Sequence, residues 1–462
     1  MSPFLLSVAA LLASLHLVSS PSSSPQAVDR HAVAHPDSVP ARRGDSVVYG
    51  TLADGARYRR VRTPAGVTMH VIEVDTRRGL SVEAVKAHDA YDGLETLSQL
   101  YERAERHARR DGDTVLAAIN AGPWHPAQFS PVGPLVVGGE VVELSGDDAW
   151  SSLLLYAGGT AAITRDRVTG QLFWRHRRLD IRSVNRRLND ESVVLYNRLY
   201  GDVVPAVGSR SDAEIVGDAM ASIEAVDSGI DFEEEEIDTA SIVKAYRGAR
   251  SRGDRERTAM KMAVRRLPTA RREWFGEPRL NDTMWTLVTM VDTGSVPIPT
   301  DGYVISFGAS AELFGSARPG DTVRLVFQVA HNGIGVVRDV VPGYPQLLFA
   351  GAPASEPDFV QGPAASVRGD EPGARTAIGI SADGATLYLV AVEAPTTDRR
   401  GGMTIDELAA TMRSLGAHNA LALEGRGSTS MVVNYETVTQ RSGEDSQRRI
   451  SNALIVKKKK RW

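Results

Sequence analysis

Glu424 stands in a stretch, Ala420 to Asn434 (ALALEGRGSTSMVVN), that gathers one carboxylate, one arginine, two glycines and three hydroxyl residues between two apolar runs. Gly425 and Gly427 allow positive φ and let a ligand approach main-chain N–H groups, and Ser428, Thr429 and Ser430 add hydroxyl donors. Such a loop suits an anion or a sugar; the other reading is a hairpin turn that is merely polar. The runs on either side, Ala420 to Leu423 and Met431 to Val433, read as short buried strands that hold the loop from both ends.

The elements needed to position that loop can be traced upstream. Thr404 to Glu407 is a T-x-x-E capping box, and Ile405, Leu408, Ala409, Met412 and Leu415 share a helical face that Gly416 closes, so a helix feeds the strand before Glu424. A T-x-x-Q box at Thr96 to Gln99 starts a helix from about Leu97 to Arg109, and the buried run TVLAAI (Thr114 to Ile119) then delivers Asn120 to a strand end. Ligands gather at such ends in open sheets that contain parallel strands; Glu424 also lies just past a strand end, so the two loops can meet there. Asn120 to Glu140, rich in Gly and Pro, reads as a loop lining a pocket or as a rigid surface loop. Asp383-Gly384 between RTAIGI and TLYLVAV is a hairpin signal. His70, alone in its strand, reads as structural.

The 462 residues, 42% hydrophobic and 24% charged, are ordinary for a folded chain, and a net charge of −4 argues against nucleic acid as a main partner. Absence of cysteine removes disulfides, thiolate catalysis and Cys-based metal sites. No G-x-S-x-G elbow, H-E-x-x-H helix or G-x-x-x-x-G-K-[ST] loop occurs, the ten histidines show no ligand spacing, and no metal or cofactor is indicated. Residues 1–20 read as a signal peptide and 21–46 as a polar tether, which predicts a secreted, periplasmic or cell-envelope protein without stable membrane insertion. A main domain is expected over 47–456, interrupted at 202–282 by a stretch of opposed charge blocks, with a basic tail at 457–462.

Five motifs, in this order, carry a family resemblance: NAG at Asn120, RTAIG at Arg375, G-x-T-x-x-E-L at Gly402, L-x-G-x-G-S-T at Leu423 and R-x-S-N-A-L at Arg449. Together they resemble the phosphodiester glycosidase domain. The resemblance implies an exported glycosidase that cleaves sugar-1-phosphodiesters of the N-acetylglucosamine type in cell-envelope or extracellular glycans. The implied scaffold is α+β, or mixed α/β, with central mixed β-sheets and flanking helices. Where the family has N-L-D-G-G-G-S-[ST]-T this chain has Ala422-Leu423-Glu424-Gly425-Arg426-Gly427-Ser428-Thr429, and a D-G-[RQ] segment reads Glu393-Ala394-Pro395. Carried onto the matching positions, Glu424 takes the carboxylate role and Arg375 the phosphate, with Arg426 as a second clamp. Ser428 and Thr429 complete an anion cradle with Gly425 and Gly427, and Asn120 binds sugar hydroxyls or an acetamido group, with Gly122 and Asn452 beside it. The alternative is a degenerate member that binds phosphorylated polysaccharide without turnover.

Overall fold

A computed structural model describes residues 46–63, 66–124, 129–145, 150–186, 193–205, 260–267, 280, 283–307, 315–329, 335–354, 371–394, 401–439 and 447–460. The expected signal peptide, nearly all of the tether and most of the 202–282 stretch lie outside these residues.

Near-continuous apolar runs, buried on both faces, build two stacked sheets. One has eight strands in the order Ser46–Ala53, Ala56–Arg62, Thr68–Asp75, Thr386–Val392, Arg375–Ile380, Asn419–Ala422, Gln346–Phe349 and Ala352–Pro353. The other has five: Glu436–Thr437, Met431–Val433, Thr114–Asn120, Asn452–Lys458 and Leu80–Lys86. Ile72, Ile378, Ile380, Leu421 and Leu423 from the first meet Val82, Ile119, Met431, Leu454 and Val456 from the second in a buried layer between the sheets. Burial of each such side chain is worth roughly 1.5–3 kcal/mol, so this layer fixes the register of both sheets.

Among the described residues, two helices cover the outer faces. Helix α1 (Leu97–Asp111) carries the expected Thr96/Gln99 capping box and ends on Gly112 at φ 81. Its Leu100, Tyr101 and Ala104 pack on Ala118, Val432 and Ala453. Helix α2 (Ile405–Ser414) starts on the Thr404/Glu407 box and sets Leu408 and Met412 against Ala377, Val390 and Ala420.

The rest overturns the expected helix-flanked α+β, mixed α/β arrangement, because the chain is mostly β. Seven strands, Val168–Trp174, Arg177–Val184, Val193–Tyr196, Gly302–Phe307, Met260–Arg266, Thr283–Asp292 and Thr322–Val329, close into a barrel around Leu172, Met262, Met284, Ile305, Leu325 and Phe327. A further five-stranded sheet, Ala161–Thr164, Ser151–Tyr156, Val337–Gly343, Leu135–Val137 and Glu140–Glu143, contributes Val136, Leu154 and Val340 to the same core. Barrel strands such as RRLDIRSV turn charged residues outward, whereas TMWTLVTMVD buries Met284, Thr286 and Val288 and turns Thr283, Trp285 and Thr289 outward. Met260–Arg266, inside the stretch set apart on charge, is one of these strands. The two stacked sheets pair antiparallel throughout, so the site is not at the carboxyl edge of parallel strands.

Candidate active site

Asn120 ends the strand Thr114–Asn120, and Glu424 follows Asn419–Ala422 in the opposite sheet. The two loops do meet. Asn120 is 1% exposed, and its amide is a hub: Nδ2 donates to the Glu424 carbonyl at 2.5 Å, while Oδ1 accepts from Thr376 Oγ1 at 2.9 Å and the Ser430 N–H at 3.0 Å. Glu424 N–H donates to the Ala121 carbonyl at 2.9 Å, completing the bridge between sheets. Thr376 Oγ1 also lies 3.3 Å from Thr429 Oγ1. Asn120 therefore holds the Glu424 loop in place. Asn120→Ala leaves the Glu424 carbonyl, the Ser430 N–H and the Thr376 hydroxyl short of partners, a cost of about 1–3 kcal/mol for each group that stays unsatisfied. The expected result is a lower melting temperature with a parallel fall in activity. A variant that melts like the parent would contradict the hub.

Asn452, at the start of its strand and 1% exposed, clamps the neighbouring turn. Its Oδ1 accepts from Gly122 N–H at 2.7 Å and its Nδ2 donates to the Gly122 carbonyl at 3.2 Å. A Cβ at Gly122 would come 3.1 Å from Pro342 Cδ and 3.2 Å from Asn452 Oδ1, which makes the position tight for any larger residue.

The Glu424 loop is a 3₁₀ turn over Arg426–Ser428. Its Ser428 N–H donates to the Gly425 carbonyl and its Thr429 N–H to the Arg426 carbonyl, both at 3.1 Å, so these two groups hold the turn instead of facing a ligand. Arg426 sits at φ 52, a left-handed conformation that costs a non-glycine residue about 1–2 kcal/mol. It occupies the place where the family pattern carries a glycine. Its N–H donates to the Ala374 carbonyl at 2.8 Å, and its half-exposed guanidinium lies 3.5 Å from Glu371.

Strand alternation sends Thr376 and Arg375 to opposite faces. Thr376 joins Asn120 between the sheets, whereas Arg375, 4% exposed, donates from Nε to the Met403 carbonyl at 2.9 Å and from Nη2 to the Glu371 carbonyl at 2.6 Å, beside the start of α2. Burial first, and the like charge of Arg426 second, push the Arg375 guanidinium down to about 10 against the pull of Glu371. Its fork is committed to main-chain carbonyls, so the structure does not join it to Glu424.

The cation that acts on Glu424 is Arg448. Burial raises the Glu424 carboxyl above the ordinary glutamate range, and the nearby Arg448 charge opposes that rise. The Glu424 side chain makes no hydrogen bond to the described residues. Arg448 also reaches Ser428 Oγ at 3.5 Å, and its guanidinium lies 5.7 Å from the centroid of the Trp124 ring. Glu424, Arg448, Ser428 and Trp124 thus form a carboxylate, a cation, a hydroxyl and an aromatic wall around one place. Sequence reasoning missed Arg448 and Trp124: the first directly precedes the R-x-S-N-A-L motif, and the second follows the NAG motif by two residues.

A second acidic group lines the same end of the eight-stranded sheet. Continuing the register of Ala377 with Ala422 and of Arg375 with Val392 places Glu393 two strands from Glu424, roughly 10 Å between backbones. Glu393 Oε1 lies 2.9 Å from Nε2 of fully buried His70, and the opposite ring nitrogen of His70 is 2.8 Å from the Tyr58 hydroxyl. Burial pushes that phenol up to about 12. His70 therefore fixes a carboxylate at a position that the family resemblance singles out.

Residues 287–457 match the phosphodiester glycosidase family. The matched segment, less than half of the chain, contains Arg375, Glu393, Glu424, Arg448 and Asn452, while Asn120 and Trp124 reach the site from outside it. No curated protein matches the sequence. Among solved structures, a hypothetical protein from Synechocystis superposes with a TM-score of 0.60 at 17% identity, over 89% of this chain and 64% of that one, so the chain spans less than two thirds of that relative. An exported-type protein of Burkholderia pseudomallei superposes at 0.59 and 18% identity, over 92% of this chain and 100% of that one. These likenesses show the fold. The catalytic domain of zebrafish N-acetylglucosamine-1-phosphodiester alpha-N-acetylglucosaminidase, auto-inhibited by its pro-peptide, gives 0.39 at 12% identity over 89% of this chain and 88% of that one, too low to carry an argument.

Proposed function

We propose that this protein is an exported hydrolase that cleaves the glycosidic bond of a sugar-1-phosphodiester, of the N-acetylglucosamine-1-phosphodiester type, in cell-envelope or extracellular glycans. One observation carries the reading: within the family-matched segment, the Glu424 carboxylate makes no hydrogen bond to the described residues and lies in the field of Arg448, which itself reaches Ser428 and the Trp124 ring. Glu424 takes a proton from water, whose oxygen attacks the anomeric carbon; the bond from that carbon to the phosphate oxygen breaks, and its electron pair leaves with the phosphomonoester. A phosphomonoester departs more readily than a sugar alkoxide, so the larger demand is a cation for its charge. Arg448 supplies that cation with a fork suited to phosphate, in place of the internally bonded Arg375. The Trp124 ring offers a face for the sugar.

Assaying a panel of sugar-1-phosphodiesters for free sugar and phosphomonoester tests this. Release from at least one member is expected. Binding of the panel without release by the wild type would favour a degenerate member that only holds phosphorylated polysaccharide.

A further inference from the structure

The barrel exposes a row of side chains that the site above does not use. Cross-strand register sets Arg178 opposite Phe173, Phe173 opposite Arg324, and Arg324 opposite Trp285, so four adjacent strands carry cation, aromatic, cation and aromatic in line. The residues flanking Phe173, Arg324 and Trp285 along their strands, Leu172, Trp174, Met284, Thr286, Val323 and Leu325, are buried in the barrel, which turns these three outward, and the register sets Arg178 on the same face as Phe173. Trp285 is 48% exposed and Arg178 is exposed. The Arg324 guanidinium lies 3.9 Å from the centroid of the Phe173 ring. Neither Arg178 nor Arg324 pairs with a carboxylate among the described residues. The one acid in the next row, Asp180, is engaged by the Gln171 amide at 3.4 Å.

We propose that this face binds a linear glycan chain joined by phosphodiesters, a polymeric form of the substrate class assigned to the Glu424 site, and the proposal rests on that assignment. Neighbouring strands are about 4.8 Å apart, so the backbones of Arg178 and Arg324 stand roughly 10 Å from each other, with Phe173 between them under the Arg324 guanidinium and Trp285 one strand beyond. A polymer that alternates phosphate and sugar presents in turn what each position accepts: phosphate oxygens for the arginine forks and the apolar faces of sugar rings for Phe173 and Trp285. Trp285 is thus an exposed indole next to cations that no carboxylate among the described residues neutralises, a pairing of apolar face and positive charge that suits such a polymer. The net charge of −4 supplies no general basic field for nucleic acid, which favours the glycan.

Affinity electrophoresis of the full chain through gels containing a glycosylated poly(glycerol phosphate) tests this, with dextran and single-stranded DNA of matched charge as controls. The Glu424→Gln variant is run alongside so that binding is read without turnover. Retardation by the phosphate polymer alone is expected. Arg178→Ser with Arg324→Ser, and separately Trp285→Ala, should each weaken it by about 10-fold or more. Both variants should melt like the parent and keep their kcat/KM on a small sugar-1-phosphodiester. Equal retardation by DNA, no retardation by the polymer, or retardation that the variants leave unchanged would each overturn the proposal. Turnover of small diesters without polymer binding would remove this face and leave the catalytic reading standing; polymer binding through this row without any turnover would do the reverse.

Discussion

Glu424→Gln lowers kcat on a sugar-1-phosphodiester by about 100-fold or more, the contribution expected of a positioned base at the reacting centre. The substitution keeps the shape of the side chain and removes only its ability to take a proton. The Glu424 main chain is held independently, by Asn120 Nδ2 on its carbonyl and by the Ala121 carbonyl on its N–H, so the loop keeps its place in the variant. The loss should fall on kcat with little change in KM, because the carboxylate acts on the transition state and Arg448 and Trp124 remain to bind substrate. Steady-state kinetics with circular dichroism as a folding control checks this, and a variant of full activity would remove Glu424 from the chemistry.

Arg448→Met carries the second large effect, in two parts. Loss of a charge-assisted contact to the departing phosphate should cost about 1.5–3 kcal/mol, roughly 10- to 100-fold in kcat/KM. The other part is a shift in pH dependence whose sign is fixed by the electrostatics. Burial raises the Glu424 carboxyl and Arg448 holds it down. Without Arg448 burial acts unopposed, Glu424 keeps its proton to higher pH, and a base that must be ionised loses activity sooner on acidification. The acid limb of kcat/KM should therefore move to higher pH in Arg448→Met and stay near its original place in Arg448→Lys, which keeps the charge. A limb that stays put or moves lower in Arg448→Met would show that another group controls it.

Local signals in the sequence were enough to bring two distant loops together. The capping boxes at Thr96 and Thr404, the Asp383-Gly384 turn and the short apolar runs before Asn120 and Glu424 each act over a few residues, and each has its counterpart in the structure. What a side chain does at a strand end was less legible. Arg375 opens its strand as expected, yet the period of two sends it to the α2 side of the sheet, where carbonyls of Met403 and Glu371 take up its donors. The N–H groups of Ser428 and Thr429 looked available for an anion because a sequence does not show that the loop closes into a 3₁₀ turn. Arg448 was hidden for another reason: its relation to Glu424 spans a long stretch of chain without periodicity or motif to announce it. The barrel escaped because its strands are scattered along the chain, so that no local signal announces their closure, and because strands such as Arg177–Val184 carry much charge on the outer face.

Which bond breaks is the most direct question. A sugar-1-phosphodiester hydrolysed by the wild type in heavy-oxygen water should yield free sugar carrying the label at its anomeric hydroxyl and a phosphomonoester carrying none, since water is delivered to carbon beside Glu424. Label in the phosphomonoester would mean attack at phosphorus, and would contradict a glycosidase at this site.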